Sequence, residues 1–361
     1  MKKRLMLLVI CVGILGCASF IKTRYDREHL SEASRLSVVY GLPELKPLRK
    51  YMMYAGNNNV VPLMSYFAHV KDLDVNGSFM LGLNRVREVM KRESEPIRVY
   101  TDEECLDDSE KKNVNILYFP SETENSDKPF VMILAGGGYQ CVCSLSEAYP
   151  VAAEYNRLGY PAFVLTYRVE STDALFPKPM EDIAQALKYI FNNYDSFALN
   201  GTHDYIIGGF SAGGHISAEW GTKNEGYEKY NLSPPSGIFL GYSAISSSYF
   251  LPLEDTEEAK QAMLKFRQHI VGENLTSEIE ARYSADQHVD SDYPPTYLVY
   301  CADDNMVDPV QSKNMAAALE AAGVRYIAEE GDFGGHGFAT GSGTSVEGWI
   351  DRADTFFSAI E

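Results

Sequence analysis

The sequence predicts an α/β fold: a mostly parallel central sheet with helices on both faces, preceded by a mostly helical N-terminal extension. Three observations carry this. From Val114 onward, short apolar runs alternate with amphipathic stretches of helical length, the pattern of parallel strands joined by helical crossovers. The run at 130–135 is apolar throughout, as a central strand covered on both faces must be. Gly209-Phe210-Ser211-Ala212-Gly213 stands between a short apolar run and a stretch that can be helical, which is the spacing of a sharp strand-to-helix turn.

The elements follow in chain order. Lys2-Lys3-Arg4 and the apolar stretch 5–15 form a basic and a hydrophobic region too short to span a bilayer comfortably. Ile14-Leu15-Gly16-Cys17 ends it and resembles a bacterial lipoprotein cleavage box, with isoleucine where leucine is usual and Leu15 where a small residue is usual. Residues 1–16 are therefore expected to be a lipoprotein-type signal peptide, Cys17 the lipidated residue and 17–36 a tether. Ordinary signal cleavage is the alternative. Either way the protein is expected to be exported, anchored at the bacterial cell envelope or secreted. Residues 37–104 form the extension. Pro43, Pro47, Pro62 and Pro96 interrupt it, and Asn57-Asn58-Asn59 and Asn76-Gly77 mark turns. Met80, Leu81, Leu83, Val86, Val89 and Met90 give it an amphipathic helix. The extension either caps a pocket or packs on the flank of the sheet.

Residues 105–361 are expected to be the catalytic domain. Strands are predicted at 114–119, 130–135, 161–167, 205–207, 237–242, 296–300 and 324–328. Helices are predicted at 147–158, 179–193, 310–322 and 345–360. Gly159 and Gly323 stop two of them. In a sheet of this kind the ligand site lies at the carboxyl ends of the strands.

Composition narrows the partners. The chain has 361 residues and a net charge of −18, with no basic cluster after Arg4. That argues against nucleic acid or an anionic membrane surface and for a neutral or cationic substrate. A membrane association is expected only through Cys17. Of the six cysteines, Cys11 lies in the expected leader and Cys17 is the possible lipid site; Cys105, Cys141, Cys143 and Cys301 are too few for a disulfide framework in a chain of this size. Cys141-Val142-Cys143 lacks further ligands at metal spacing, so neither a metal nor any other cofactor is expected.

The chemistry gathers at three strand ends besides the Ser211 turn. The run Ala135-Gly136-Gly137-Gly138-Tyr139 follows the central strand, where glycines let backbone N–H groups face a substrate oxygen. It fits neither phosphate-binding pattern: no lysine follows, and Cys141 stands where G-x-G-x-x-G needs glycine. Asp303-Asp304 follows the strand at 296–300. Either carboxylate can orient a histidine; Asp304 is preferred for the returning turn after it, and Asp303 is the fallback. His336, between glycines, follows the last strand. A hydroxyl nucleophile, a base, an acid and backbone donors make an acyl-transfer set in the order Ser, Asp, His. Ser211 attacks a carbonyl carbon, His336 takes its proton, Asp304 fixes the imidazole, and the N–H groups of Gly137, Gly138 and Ala212 hold the oxyanion. His215, one turn beyond Ser211, is expected to pack rather than react. His288 reads as a loop residue, and His29, His69, His203 and His269 carry no partner signal.

These motifs resemble the α/β-hydrolases, and within them bacterial acetyl-esterase-type enzymes, including acetyl xylan esterases and the feruloyl-esterase-like set. The likeness rests on the loop at 135–139, on Phe210-Ser211-Ala212-Gly213-Gly214-His215, on Pro294-Pro295-Thr296 leading to Ala302-Asp303-Asp304, and on Gly334-Gly335-His336-Gly337. It runs from about Val114 to the C-terminus. Two departures are Ala135-Gly136 where relatives often have His-Gly or Pro-Gly, and Asp308-Pro309 where they often have Val-Pro. The resemblance implies Ser211, Asp304 and His336 as catalytic residues and Gly137, Gly138 and Ala212 as oxyanion donors. It implies a serine carboxylesterase for short-chain acyl esters, with acetyl esters of plant or other polysaccharides and oligosaccharides foremost. A serine peptidase of the same fold and a catalytically silent binding protein are the alternatives. The peptidase lacks a visible propeller or amine-anchoring segment, and the complete Ser, Asp, His and glycine-loop set argues against silence. No long apolar lid of the lipase kind stands out.

Overall fold

The computed structural model describes residues 30–31, 33–56, 78–92, 95–123, 127–170, 173–199, 204–246 and 256–360. The expected leader, Cys17, most of the tether, Pro62 and the turns at Asn57-Asn58-Asn59 and Asn76-Gly77 lie outside them, as do His29, His69 and His203.

Among the described residues, eight strands form one sheet. They are β1 (Ile97–Arg98), β2 (Asn115–Phe119), β3 (Phe130–Leu134), β4 (Ala162–Thr166), β5 (Tyr205–Phe210), β6 (Gly237–Gly241), β7 (Thr296–Cys301) and β8 (Tyr326–Gly331), in spatial order β1-β2-β4-β3-β5-β6-β7-β8. β1 and β2 run antiparallel at one edge, and every pairing from β4 to β8 is parallel. Each residue of β3 is buried, as its unbroken apolar run predicts.

The elbow strand runs three residues further than its apolar stretch suggests. Gly208 and Gly209 stay in the ladder because they pair with Ile133 and Leu134 on one side and with Phe239 and Leu240 on the other. The last strand begins two residues late: the Val324 N–H bonds the Leu319 carbonyl at 3.0 Å and so closes the preceding helix instead of entering the sheet. The last helix also begins late, at Trp349, because Gly348 takes a φ of 78°.

The helices are α1 (Phe79–Arg92), α2 (Ala148–Arg157), α3 (Lys178–Asn192), α4 (Ala212–Trp220), α5 (Glu257–Val271), α6 (Ser277–Arg282), α7 (Val310–Ala322) and α8 (Trp349–Ser358), with short helical turns at Leu36–Tyr40 and Arg49–Met52. Among the described residues, no helix is long and apolar enough to cross a membrane. α1 buries Leu83, Val86, Val89 and Met90 and leaves Leu81 exposed, so the apolar stripe is narrower than the apolar content of the segment. It crosses α2 closely: a Cβ on Gly82 would stand 2.5 Å from the Pro150 nitrogen. Tyr54 exchanges backbone hydrogen bonds with Val142 at 3.2 and 2.7 Å, which ties the extension to the far side of the glycine loop.

One buried ion network fastens the chain ahead of β2 to the end of β4. Arg168, 1% exposed, reaches Asp182 at 2.8 Å, Asp108 at 2.8 Å and Glu181 at 2.8 Å. Tyr100 donates its hydroxyl to Asp182 at 2.9 Å. Removing one partner of a buried pair leaves the other charge without its main compensation, which typically costs about 3–5 kcal/mol. Asp182→Ala is therefore expected to destabilise the fold by that order in urea unfolding, with the midpoint falling and the slope unchanged. A midpoint equal to that of the unsubstituted chain would show that the network does not hold these segments together.

Candidate active site

Ser211 sits between β5 and α4 with φ 51° and ψ −118°, a backbone region that L-residues seldom enter. The surroundings hold it there. Its N–H donates to the Gly241 carbonyl at 3.1 Å, and its carbonyl accepts from the His215 and Ala244 N–H groups at 3.1 and 3.2 Å. Its neighbours must lack side chains. A Cβ on Gly209 would lie 2.4 Å, and one on Gly213 2.3 Å, from the Leu134 carbonyl oxygen. The strand and helix therefore approach β3 at backbone distance, and the serine projects from the strand end.

Asp304 and His336 come from the chain after β7 and β8. His336 Nδ1 lies 2.8 Å from Asp304 Oδ2. The other Asp304 oxygen accepts the Met306 and Val307 N–H groups at 2.9 and 3.0 Å, and the side chain is 2% exposed. Of the two adjacent aspartates, only Asp304 meets the imidazole. Asp303 instead accepts the N–H groups of Gly335 at 2.8 Å and Gly334 at 3.3 Å. Those donors, Gly335 first, hold its carboxyl below the usual range. Asp303 thus pins the loop that carries His336. Gly335 and Gly337 have φ of 60° and 90°, so this loop needs glycine on both sides of the histidine.

The glycine loop backs onto Ser211. A Cβ on Gly136 would stand 2.8 Å from Ser211 Cβ. Gly137 and Gly138 follow with φ of 131° and 59°. Both line one cavity of about 970 Å³ together with Ser211, Ala212, Asp304 and His336. The six residues singled out in the sequence therefore share one space at the carboxyl ends of β3, β5, β7 and the chain after β8. Among the described residues, nothing before Gly137 lines this cavity.

His215 is fully buried, and its ring meets the Tyr139 hydroxyl through Nδ1 and the Tyr283 carbonyl through Nε2 at 2.9 Å. Both ring nitrogens are thus engaged inside the protein, in keeping with a packing role. His269 does have partners: its Nε2 lies 3.3 Å from the Tyr139 carbonyl and 3.2 Å from that of Val169. His288 Nε2 lies 2.8 Å from the Ala281 carbonyl. Cys301 is buried, and burial pushes its thiol up to about 11.

Several cavity residues had no signal in the sequence. Met263 and Phe266 reach it from α5, a helix with only Ile270 and Val271 buried. Glu147 lines it from the N-cap of α2. Its Oε2 accepts the Gly136 N–H at 2.5 Å, and burial raises its carboxyl above the usual range. The Glu147 motif could not be found by pattern, because no spacing rule links a glycine loop to a glutamate eleven residues on.

The model of the BD-FAE family matches residues 116–319, a stretch that contains Ser211 and Asp304 and ends before His336. The chain is 26% identical over 227 residues to the endo-1,4-beta-xylanase B of Butyrivibrio fibrisolvens, covering 61% of this chain and 34% of that protein. It is 26% identical over 226 residues to the acetylxylan esterase of Xylanibacter ruminicola, covering 61% and 43%. The chain thus spans less than half the length of these curated relatives. Among solved structures, an acetyl ester-xyloside bifunctional hydrolase from Caldicellulosiruptor lactoaceticus matches with a TM-score of 0.61 at 25% identity, over 74% of this chain and 96% of that one. The fold is that of the α/β-hydrolases.

Proposed function

Because the chain belongs to the BD-FAE family, we propose that it is a serine carboxylesterase removing short-chain acyl groups, acetyl foremost, from oligosaccharides or polysaccharides. The observation that carries this is the common cavity: Ser211 on its elbow, His336 bound through Nδ1 to Asp304, and the glycine loop all face it. The names of an acetylxylan esterase and an acetyl ester-xyloside hydrolase among the similar proteins support the acyl group and the sugar.

On this reading His336 takes the Ser211 proton as the serine oxygen attacks the ester carbonyl carbon. The negative oxygen of the tetrahedral intermediate is received by the N–H groups of Gly137, Gly138 and Ala212, the last at the N-terminus of α4. Asp304 holds the imidazole in the tautomer that accepts at Nε2 and stabilises the cation that forms. The intermediate collapses, the C–O bond to the alcohol breaks, and His336 protonates the departing oxygen. Water then attacks the acyl-enzyme by the same route, and the carboxylic acid leaves with Ser211 restored.

The purified protein is expected to cleave acetyl aryl esters faster than octanoyl ones and to release acetate from acetylated xylan. A panel of acetyl to octanoyl esters beside the polysaccharide checks this. No turnover of any short-chain ester would refute esterase function, and preference for octanoyl would refute the short-chain assignment.

A further inference from the structure

The proposed reaction leaves one buried carboxylate of the cavity, Glu147, without a role. The Glu147 carboxylate accepts two hydrogen bonds in the site. Its Oε2 accepts the Gly136 N–H at 2.5 Å, and its Oε1 accepts the Tyr242 hydroxyl at 3.3 Å. The same Tyr242 oxygen accepts the Ala339 N–H at 3.4 Å. The glutamate therefore joins the glycine loop after β3, the chain after β6 and the loop that carries His336. The Tyr242 ring also packs edge-on against His336, with centroids 4.8 Å apart.

Two features show that these segments need holding. Tyr242 and Ala339 are non-glycine residues with φ of 35° and 45°, near Ser211 with 51°. Such backbone states persist only where the surroundings over-determine them, and the Glu147–Tyr242–Ala339 chain connects two of the three. The second feature is the loop itself. Gly136, Gly137 and Gly138 carry no side chain to fix their peptide planes, and consecutive glycines are the freest backbone a chain can have. An oxyanion site acts through donors placed before charge develops; the Gly136 carbonyl accepts from the Cys143 N–H at 2.9 Å and the Gly137 carbonyl from those of Gln140 and Cys141 at 3.1 Å each, while the Ala135–Gly136 peptide that leads into them is held from outside, by Tyr167 and Glu147. The Gly136 N–H points to Glu147 at the entry of the loop, directly ahead of the two peptides that carry the Gly137 and Gly138 N–H groups.

We propose that Glu147 is a positioning residue for the oxyanion site: by anchoring the Gly136 N–H and the Tyr242 hydroxyl, it orients the Gly137 and Gly138 N–H groups. It touches the loop and not the reacting atoms. At Gly136 an acceptor oxygen, rather than the charge, does the anchoring, so an amide of equal length keeps that bond and turns its NH2 to the Tyr242 oxygen, whereas a shortened carboxylate does not reach. The inference rests on Ser211 as nucleophile and on the glycine loop as oxyanion site.

The test uses the full chain with Glu147→Ala, Glu147→Asp and Glu147→Gln. It measures kcat and KM on an acetyl aryl ester, thermal unfolding, and affinity for phenylboronic acid, whose boron accepts the Ser211 oxygen and becomes a tetrahedral anion as His336 takes the proton. Glu147→Ala is expected to lower kcat on the order of 10²-fold, the usual cost of one oxyanion donor, with KM within about threefold. Boronate affinity is expected to fall by a comparable factor. Glu147→Asp follows Glu147→Ala in direction, and Glu147→Gln stays within about tenfold of the unsubstituted protein on both measures. Should Glu147→Ala not fold, Glu147→Asp decides by the same pair of readings. Unchanged kcat and boronate affinity, or a loss confined to KM or to thermal stability, overturns the proposal. An active Ser211→Ala protein overturns the underlying serine reading instead; an inactive one beside unaffected Glu147 variants overturns this inference alone.

Discussion

Ser211→Ala is expected to lower kcat by on the order of 10⁴-fold or more while leaving the fold intact. The loss is large because every bond change in the proposed reaction passes through the serine oxygen; His336, Asp304 and the backbone donors have nothing to activate without it. What remains is the modest acceleration that binding and oxyanion donors give to attack by water. The fold is expected to survive because the contacts that hold the elbow are made by the backbone: Ser211 N–H to Gly241, and its carbonyl to His215 and Ala244. Alanine keeps all of them and adds no atom near Gly136, where the approach to the Ser211 Cβ is already tight. The check is kcat on an acetyl aryl ester with unfolding followed in parallel, together with the mass added by an organophosphonate. One adduct per chain is expected on the unsubstituted protein and none on the variant. Activity persisting in a folded Ser211→Ala protein would remove the acyl-enzyme mechanism.

Asp304→Asn is expected to cost about as much, on the order of 10⁴-fold in kcat, and Asp303→Asn no more than about tenfold. The two side chains are neighbours in sequence and differ in what they hold. Asp304 meets His336 Nδ1 at 2.8 Å and is itself fixed by two backbone donors. An amide there can donate to Nδ1, which moves the imidazole proton to Nε2 and leaves that nitrogen unable to accept from the serine. Asp303 accepts from Gly334 and Gly335 at the exposed side of the loop, and asparagine keeps an acceptor oxygen for both. Steady-state kinetics on the two variants decide the matter, and the reverse ranking would overturn the assignment of Asp304.

These two substitutions also mark where the sequence stops being sufficient. Ser211 could be picked out because its requirements are local. The strained turn at Ser211 needs glycine at 209 and 213, for the Leu134 carbonyl lies where their Cβ atoms would go. The alternation of apolar strands and helical stretches is local in the same sense, set by the period of each element, and it foretold the parallel sheet and the strand ends that carry chemistry. His336 was legible through its flanking glycines, whose positive φ the structure uses.

What stayed illegible depends on contacts between distant segments. Asp303 and Asp304 are chemically identical and adjacent, and only the packing of the β8 loop against the β7 loop turns one to the imidazole and the other to Gly334 and Gly335. Glu147 is one acid in a chain with 50 aspartates and glutamates; its place behind Gly136 arises from the way α2 returns along the sheet. Met263 and Phe266 lie on a helix that buries little, so no apolar periodicity pointed to their place in the cavity wall. The sequence by itself thus determined the fold class, the sharp turn at Ser211 and the loops that meet it, because backbone sterics and burial periods are written in neighbouring residues. The tertiary structure alone decided which aspartate meets His336, which carboxylate stands behind Gly136 and what walls the cavity, because those depend on side chains brought together from separate strand ends.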